Sequence, residues 1–189
     1  MTELCDIAFK YGTDKCPQVK HHFTEKYFEM FNERRFDIRK VVEMGIGQLG
    51  IANEKNVEWG SSLLMWREYL PNAVIFGADI LPSLMVKLPQ IITYVCDQTN
   101  EDDLVSLVYN TGIDIDIFID DGLHTPESQI FTCKTIMPLL VNPVYIIEDA
   151  GGLKDLSELS DYDVEVWVPS RKRKYNDDRL VIVKHKWQK

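Results

Sequence analysis

Residues 115–124 read Ile115-Asp116-Ile117-Phe118-Ile119-Asp120-Asp121-Gly122-Leu123-His124, and residues 144–152 read Val144-Tyr145-Ile146-Ile147-Glu148-Asp149-Ala150-Gly151-Gly152. Both are apolar runs that end in acid. Runs this apolar read as buried strands of a parallel sheet, and in such sheets ligands bind at the carboxyl ends of the strands. Two neighbouring strands of this kind bring three or four carboxylates and one imidazole to one spot. Left unpaired, that much negative charge repels itself and forces protonation. A hard divalent cation is the simplest partner that resolves it, so a metal beside a histidine base is expected here.

Outward from these strands the period alternates strand and helix. Strands are predicted over 41–44, 74–79, 91–96, 115–120 and 144–148, with a short helical turn at 82–86. Helices are predicted over 61–69, capped by Ser61 or Ser62 and stopped by Pro71, over 100–109 with three acids in its first turn, and from Pro126 to about 137. Beyond residue 150 the pattern changes to two alternating strands, 162–168 and 180–185, which predict an antiparallel hairpin. The expected fold is α/β: a doubly wound, mostly parallel, seven-stranded Rossmann-like sheet with an antiparallel C-terminal hairpin, the architecture of class I methyltransferases. The expected organisation is a single domain over 1–189, with an N-terminal helical cap (1–39), βα units (40–150) and the hairpin (151–189). The aromatics Phe23, Tyr27, Phe28 and Phe31 fall at helical spacing and predict an amphipathic helix in the cap.

At 189 residues the chain is long enough for one full core. Its net charge of -9 argues against nucleic acid as a partner. The basic run Arg171-Lys172-Arg173-Lys174 reads as a solvated hairpin tip, with a contact to substrate phosphate or glycan as its competitor. Cys5, Cys16, Cys96 and Cys133 form no C-x-x-C pair, which fits a reducing compartment and a cytoplasmic location. No signal peptide and no membrane span is read from the chain.

Gly45-Ile46-Gly47-Gln48-Leu49-Gly50 formally satisfies G-x-G-x-x-G after a strand. A dinucleotide site wants a helix to begin within that motif and an acid about 20 residues on. Here residues 51–60 intervene and Asp79 comes late. The alternative is Glu43-x-Gly45-x-Gly47, the turn by which methyltransferases let S-adenosylmethionine approach the backbone, where a side chain would block it. Asp79 would then take the ribose hydroxyls and Asp97 the adenine amino group.

Four segments carry a family resemblance: Tyr11-Gly12-Thr13-Asp14-Lys15 with His21-His22-Phe23-Thr24 and Tyr27; Gly60-Ser61-Ser62-Leu63 through Trp66 to Asp79; Ile119 to His124; and Ile147-Glu148-Asp149. Through them the chain resembles the metal-dependent sugar O-methyltransferases related to the macrolide-deoxysugar enzymes of mycinamicin and tylosin tailoring. The resemblance implies S-adenosylmethionine as methyl donor, and Mg²⁺ or Mn²⁺ held by Asp121, Glu148 and Asp149. It implies His124 as general base with Asp121 beside it. It adds Thr13, Lys15, Ser62 and Asp120 to Glu43, Gly45, Gly47, Asp79 and Asp97 as cofactor-binding candidates, and His22 and Tyr27 as substrate-binding candidates. Structural readings compete: Asp120 points away from Asp121 by strand alternation, His124 serves as a cap before Thr125, His21 and His22 pack, Asp14 and Lys15 pair on the surface, and Trp66 is core. The chain is shorter than the macrolide enzymes and carries what looks like an insertion over 48–60.

The expected reaction is methyl transfer to a sugar hydroxyl, of a deoxyhexose such as rhamnose in a glycan or glycoconjugate. A metal chelating two adjacent hydroxyls lowers their pKa, and a histidine titrating near about 6.5 takes the proton. A glycosyltransferase partner or fusion fits that chemistry, and oligomeric state is left open. The alternatives are a catechol-type small-molecule O-methyltransferase and a non-catalytic nucleotide-binding module; a dehydrogenase fits worst.

Overall fold

The computed structural model describes residues 1–47, 60–170 and 177–186. The basic run 171–174, the third glycine Gly50, and all of the inserted stretch except Gly60 lie outside the described residues.

Eight strands form one sheet in the order β3-β4-β2-β1-β5-β6-β8-β7. They are β1 (Lys40–Met44), β2 (Val74–Asp79), β3 (Lys87–Leu88), β4 (Ile91–Val95), β5 (Ile117–Asp120), β6 (Val144–Ile147), β7 (Tyr162–Trp167) and β8 (Leu180–His185). The pairs β2·β4, β1·β2, β1·β5 and β5·β6 are parallel; β3·β4, β6·β8 and β7·β8 are antiparallel. The doubly wound sheet with its antiparallel end is therefore as expected. Among the described residues the strands number eight and not seven: Gln90, with φ of 63°, turns the chain so that the two-residue β3 pairs back on β4. The order reverses between β1 and β5, and this switch point opens a crevice at the strands' carboxyl ends.

Helices cover both faces. On one lie α1 (Glu3–Tyr11), α2 (Phe23–Phe31) and α3 (Ser61–Tyr69); on the other, α4 (Glu101–Thr111) and α5 (Pro126–Ile136). Alternation along the strands divides the core in two. Val41, Ile75, Ile117, Ile119 and Ile146 pack with Leu4, Phe23, Tyr27, Leu63 and Trp66. Val42, Phe76, Phe118, Tyr145 and Ile147 pack with Leu104, Leu107, Ile130 and Cys133. Trp66 is fully buried, as the core reading has it.

The helix α1 was not singled out from the sequence, although its signals are local. The Thr2 side chain accepts from the Cys5 N–H, Leu4, Ile7 and Ala8 share the buried face, and Gly12 closes the helix at φ 72°. The expected serine cap on α3 gives way to Gly60, in the left-handed region and with no side-chain cap bond. Ser61 and Ser62 are instead buried in the first turn. By contrast Thr125 caps α5 through the Ser128 N–H, with Pro126 in its first turn. No helix among the described residues is long and apolar enough to cross a membrane.

Candidate active site

The two-residue period of the strands sorts the acids. In β1, Glu43 shares the face of Val41; one residue past β5, Asp121 shares the face of Ile119; one past β6, Glu148 shares the face of Ile146. All three meet beneath α1–α3. There they find Lys15, whose side chain is 1% exposed. Its Nζ lies 2.6 Å from Asp121 Oδ2, 2.6 Å from Glu148 Oε2 and 3.3 Å from Glu43 Oε1. The surface Asp14–Lys15 pair is therefore not formed. Asp14 faces Lys20 and His21, each at 3.8 Å. Part of the repulsion that called for a divalent cation is already met by this ammonium, which reaches the acids across 106 and 133 residues of sequence.

Burial alone would pull the Lys15 pKa down, but Asp121, Glu148 and Glu43 outweigh it and hold it well above the ordinary value. Burial pushes the Glu43 and Glu148 carboxyls up, against the pull of Lys15. Asp121 is only partly exposed, and Lys15 and His124 together outweigh its desolvation and hold its carboxyl below the usual range. Both Glu43 carboxylate oxygens are buried and have no hydrogen-bond partner among the described residues. The Tyr27 hydroxyl donates to Glu148 Oε1. Tyr27 is completely buried, so the contact with substrate expected of it is replaced by a grip on a carboxylate.

Beside this cage stands His124, its side chain 40% exposed. Nε2 is 3.2 Å from Asp121 Oδ1, and Nδ1 is 3.5 Å from Asp149 Oδ2. The hydrogen bond to Asp121 and the nearby charges of Asp121 and Asp149 raise its pKa, against partial burial. Asp149 takes φ of 48°, a left-handed conformation costly for a non-glycine residue and typical of functional sites. Burial pushes its carboxyl up to about 6. Its Oδ1 is buried and accepts no hydrogen bond, with His21 Nε2 at 3.4 Å. Asp121, His124 and Asp149 each offer a ligand atom within 4.8 Å of the others, as do His21, Asp149 and Asp177. Glu148 is in neither group, and Tyr27 and Lys15 engage its two oxygens. His22 binds Asp178 through its backbone N–H at 3.1 Å and its Nδ1 at 2.9 Å. It thus ties the N-terminal segment to the approach of β8.

The glycine turn adjoins the cage. Gly45 has φ of 83°, and a β-carbon there would lie 2.1 Å from the Asp121 carbonyl oxygen. Gly47 faces Leu84, whose Cδ1 is 2.1 Å from where its β-carbon would be. Asp79 closes the turn by accepting from the N–H groups of Ile46 and Leu81, each at 3.0 Å. Asp97 is partly exposed at the end of β4 and accepts from Thr99 N–H and Oγ1 at 2.8 and 2.7 Å. Thr13 is buried, its N–H on the Ala8 carbonyl.

Asp120 lies on the opposite face, as alternation implies. Tyr145 donates to its Oδ2 at 3.0 Å and Gln98 to its Oδ1 at 3.2 Å; burial pushes its carboxyl up to about 6. The cofactor contact carried over to Asp120 is corrected to a buried support under the strand end. Gln98 itself was missed. Its side-chain amide donates to Asp120 and Thr132, and its Oε1 accepts the Leu123 N–H, so it shapes the loop that carries His124. Its position directly after Asp97 at a strand end was the available signal.

No protein-family model matches the chain. Curated relatives include the 8-demethyl-8-alpha-L-rhamnosyl tetracenomycin-C 2'-O-methyltransferase of Streptomyces olivaceus, 32% identical over 148 residues, covering 77% of this chain and 37% of that protein. The demethylmacrocin O-methyltransferase of Streptomyces fradiae is 33% identical over 150 residues, covering 78% and 36%. Among solved structures, the MycE methyltransferase of the mycinamycin pathway, in complex with Mg, SAH and mycinamycin VI, superposes with a TM-score of 0.76 at 25% identity, covering 98% of this chain and 55% of that one. The fold is therefore the Rossmann-like methyltransferase fold, and the likeness to sugar O-methyltransferases read from the sequence holds. The chain spans less than half the length of the curated relatives it matches.

Proposed function

We propose, from the premise that its relatives are sugar O-methyltransferases, that this chain transfers a methyl group from S-adenosylmethionine to a sugar hydroxyl, of a deoxyhexose such as rhamnose carried on a larger aglycone or glycan. The observation that carries the reading is the convergence of Asp121, His124 and Asp149 beside the Gly45 turn, at the carboxyl ends of β1, β5 and β6.

The residues fit a divalent cation. Asp149 lies within ligand reach of Asp121 and His124, with His124 Nδ1 3.5 Å from its Oδ2, and its Oδ1 is a buried carboxylate oxygen that accepts no hydrogen bond. Oxygen donors suit Mg²⁺ or Mn²⁺. Asp121 and Asp149 would hold the ion, joined by Glu148 if it shares an oxygen with Lys15. When bound, such an ion acidifies and orients the acceptor hydroxyls. His124, the exposed member of the group, faces the crevice and takes the acceptor proton as general base. Asp121, hydrogen-bonded to it, orients the ring. The Gly45-Ile46-Gly47 turn and Asp79 receive the cofactor, and Asp97 stands at the next strand end for its base. Much of the rate is expected from positioning two substrates at one crevice.

The test is methyl transfer from labelled S-adenosylmethionine to a panel of rhamnosides and other deoxyhexosides, with Mg²⁺ and with EDTA. Metal-dependent labelling lost in His124→Ala, with cofactor binding kept, supports the reading. Binding of S-adenosylmethionine with no labelling of any sugar refutes it.

A further inference from the structure

Lys15 differs from every other cation of the described residues in having three carboxylates within 3.3 Å and no solvent. Its backbone is clamped, since the Lys15 carbonyl accepts the Thr24 N–H at 3.0 Å and the Asp14 carbonyl accepts the His21 N–H at 2.8 Å. The segment is thus fastened to the start of α2, and its ammonium is delivered to one spot. The acids it meets belong to different tasks: Glu43 borders the glycine turn, while Asp121 and Glu148 are the expected metal ligands. Asp121 is split between two partners, Oδ2 on the Lys15 ammonium and Oδ1 on the His124 ring. Glu148 is filled by Lys15 and Tyr27.

We propose that Lys15 is the standing counter-cation of this cage, a positioning residue that keeps Glu43, Asp121 and Glu148 assembled at all times and makes a divalent cation compete for their oxygens. The inference rests on the metal reading given above. Two consequences follow from the charges. The fold does not depend on metal, because the cage already holds a cation. The metal is held loosely, because it enters beside a fixed positive charge and finds one carboxylate already engaged.

The experiment is a Mn²⁺ titration followed by electron paramagnetic resonance, with thermal melting of the same samples, on wild type, Lys15→Met and Lys15→Met/Glu148→Gln. Methionine keeps most of the length and removes the charge; the double variant removes one charge of each sign. Lys15→Met is expected to bind Mn²⁺ at least about tenfold more tightly than wild type. Its melting temperature without metal should fall, and Mn²⁺ should raise it far more than it raises wild type. The double variant should regain much of the metal-free melting temperature. A residue that merely filled space would, on removal, loosen the metal. A folded Lys15→Met that binds Mn²⁺ no more tightly than wild type therefore overturns the proposal. If Lys15→Met folds only with Mn²⁺, the proposal stands. If both variants fail to fold under every condition, Lys15 is a packing residue and the proposal fails. If no protein binds Mn²⁺, the metal reading falls, and the melting curves still decide whether Lys15 offsets Glu148.

Discussion

Gly45→Ala probes how the glycine turn and the acid cage share one backbone. At φ of 83°, alanine is held in the left-handed region, at a cost of about 1–2 kcal/mol. Its β-carbon would lie 2.1 Å from the Asp121 carbonyl oxygen, 2.5 Å from the carbonyl carbon and 2.7 Å from Gly122 Cα. These are all backbone atoms, so relief requires the strand end to move by about 1 Å, and forcing packed elements apart costs about 1–3 kcal/mol more. A total of about 3 kcal/mol lowers the melting temperature by roughly 6–12 °C in a chain of this size. The atoms that move carry Asp121, the partner of His124, and a misplacement of about 1 Å costs roughly a hundredfold in rate. Calorimetry and labelled methyl transfer read the two effects. Gly47→Ala is the control. The three atoms nearest its β-carbon all belong to the Leu84 side chain, so adding Leu84→Ala should relieve it, while no single side-chain truncation relieves Gly45→Ala. A Gly45→Ala protein that melts within about 2 °C of wild type, with transfer unchanged, would refute this coupling.

Other perturbations have equally definite outcomes. Tyr145→Phe removes a donor from buried Asp120, which burial pushes up to about 6. Above that pH the carboxylate is ionised and the loss should be about 1.5–3 kcal/mol; as pH falls through about 6 the group gains its own proton and the loss should shrink, which urea melts at pH 8 and pH 5 will read. Asp178 has a depressed pKa, because hydrogen bonds from His22 and the His21 ring beside it outweigh its burial. Its contribution is therefore complete above the usual aspartate range and lost as pH falls through its folded value. Asp178→Asn should cost about 1–3 kcal/mol at neutral pH and flatten the acid limb of the stability curve; an unchanged limb would show that Asp178 does not set it. Lys10→Ala breaks an ion pair with Glu68 that is largely in water, and its melting temperature should be indistinguishable from that of wild type.

The strand ends were legible because parallel strands buried on both faces leave little choice of register. Once 115–120 and 144–148 are strands, the placing of Glu148 and Asp121 on one face and Asp120 on the other follows from a period of two. The glycine turn was legible because Gly45 has no substitute at a positive φ against a backbone. What the sequence hid is long-range. Nothing local distinguishes Lys15 from a surface lysine, since its depth depends on α2 clamping its backbone and on acids more than 100 residues away. Tyr27 reads as one more aromatic on a helical stripe, and only its hydroxyl, invisible to periodicity, sends it to Glu148. The strand β3 is two residues long and leaves no pattern to read.

The place of β8 in the sheet bears on how the chain is made. Its residues pair with β6 on one side and β7 on the other, so β6 has an open edge until Leu180–His185 has left the ribosome. About thirty residues separate the two strands, and at roughly 5–20 residues per second translation needs on the order of 2–6 s to supply the missing neighbour. During that interval an apolar strand, Val144–Ile147, offers unpaired backbone to any extended segment nearby. Slower translation between these strands should lower the soluble yield, and a holdase that shields β6 should restore it.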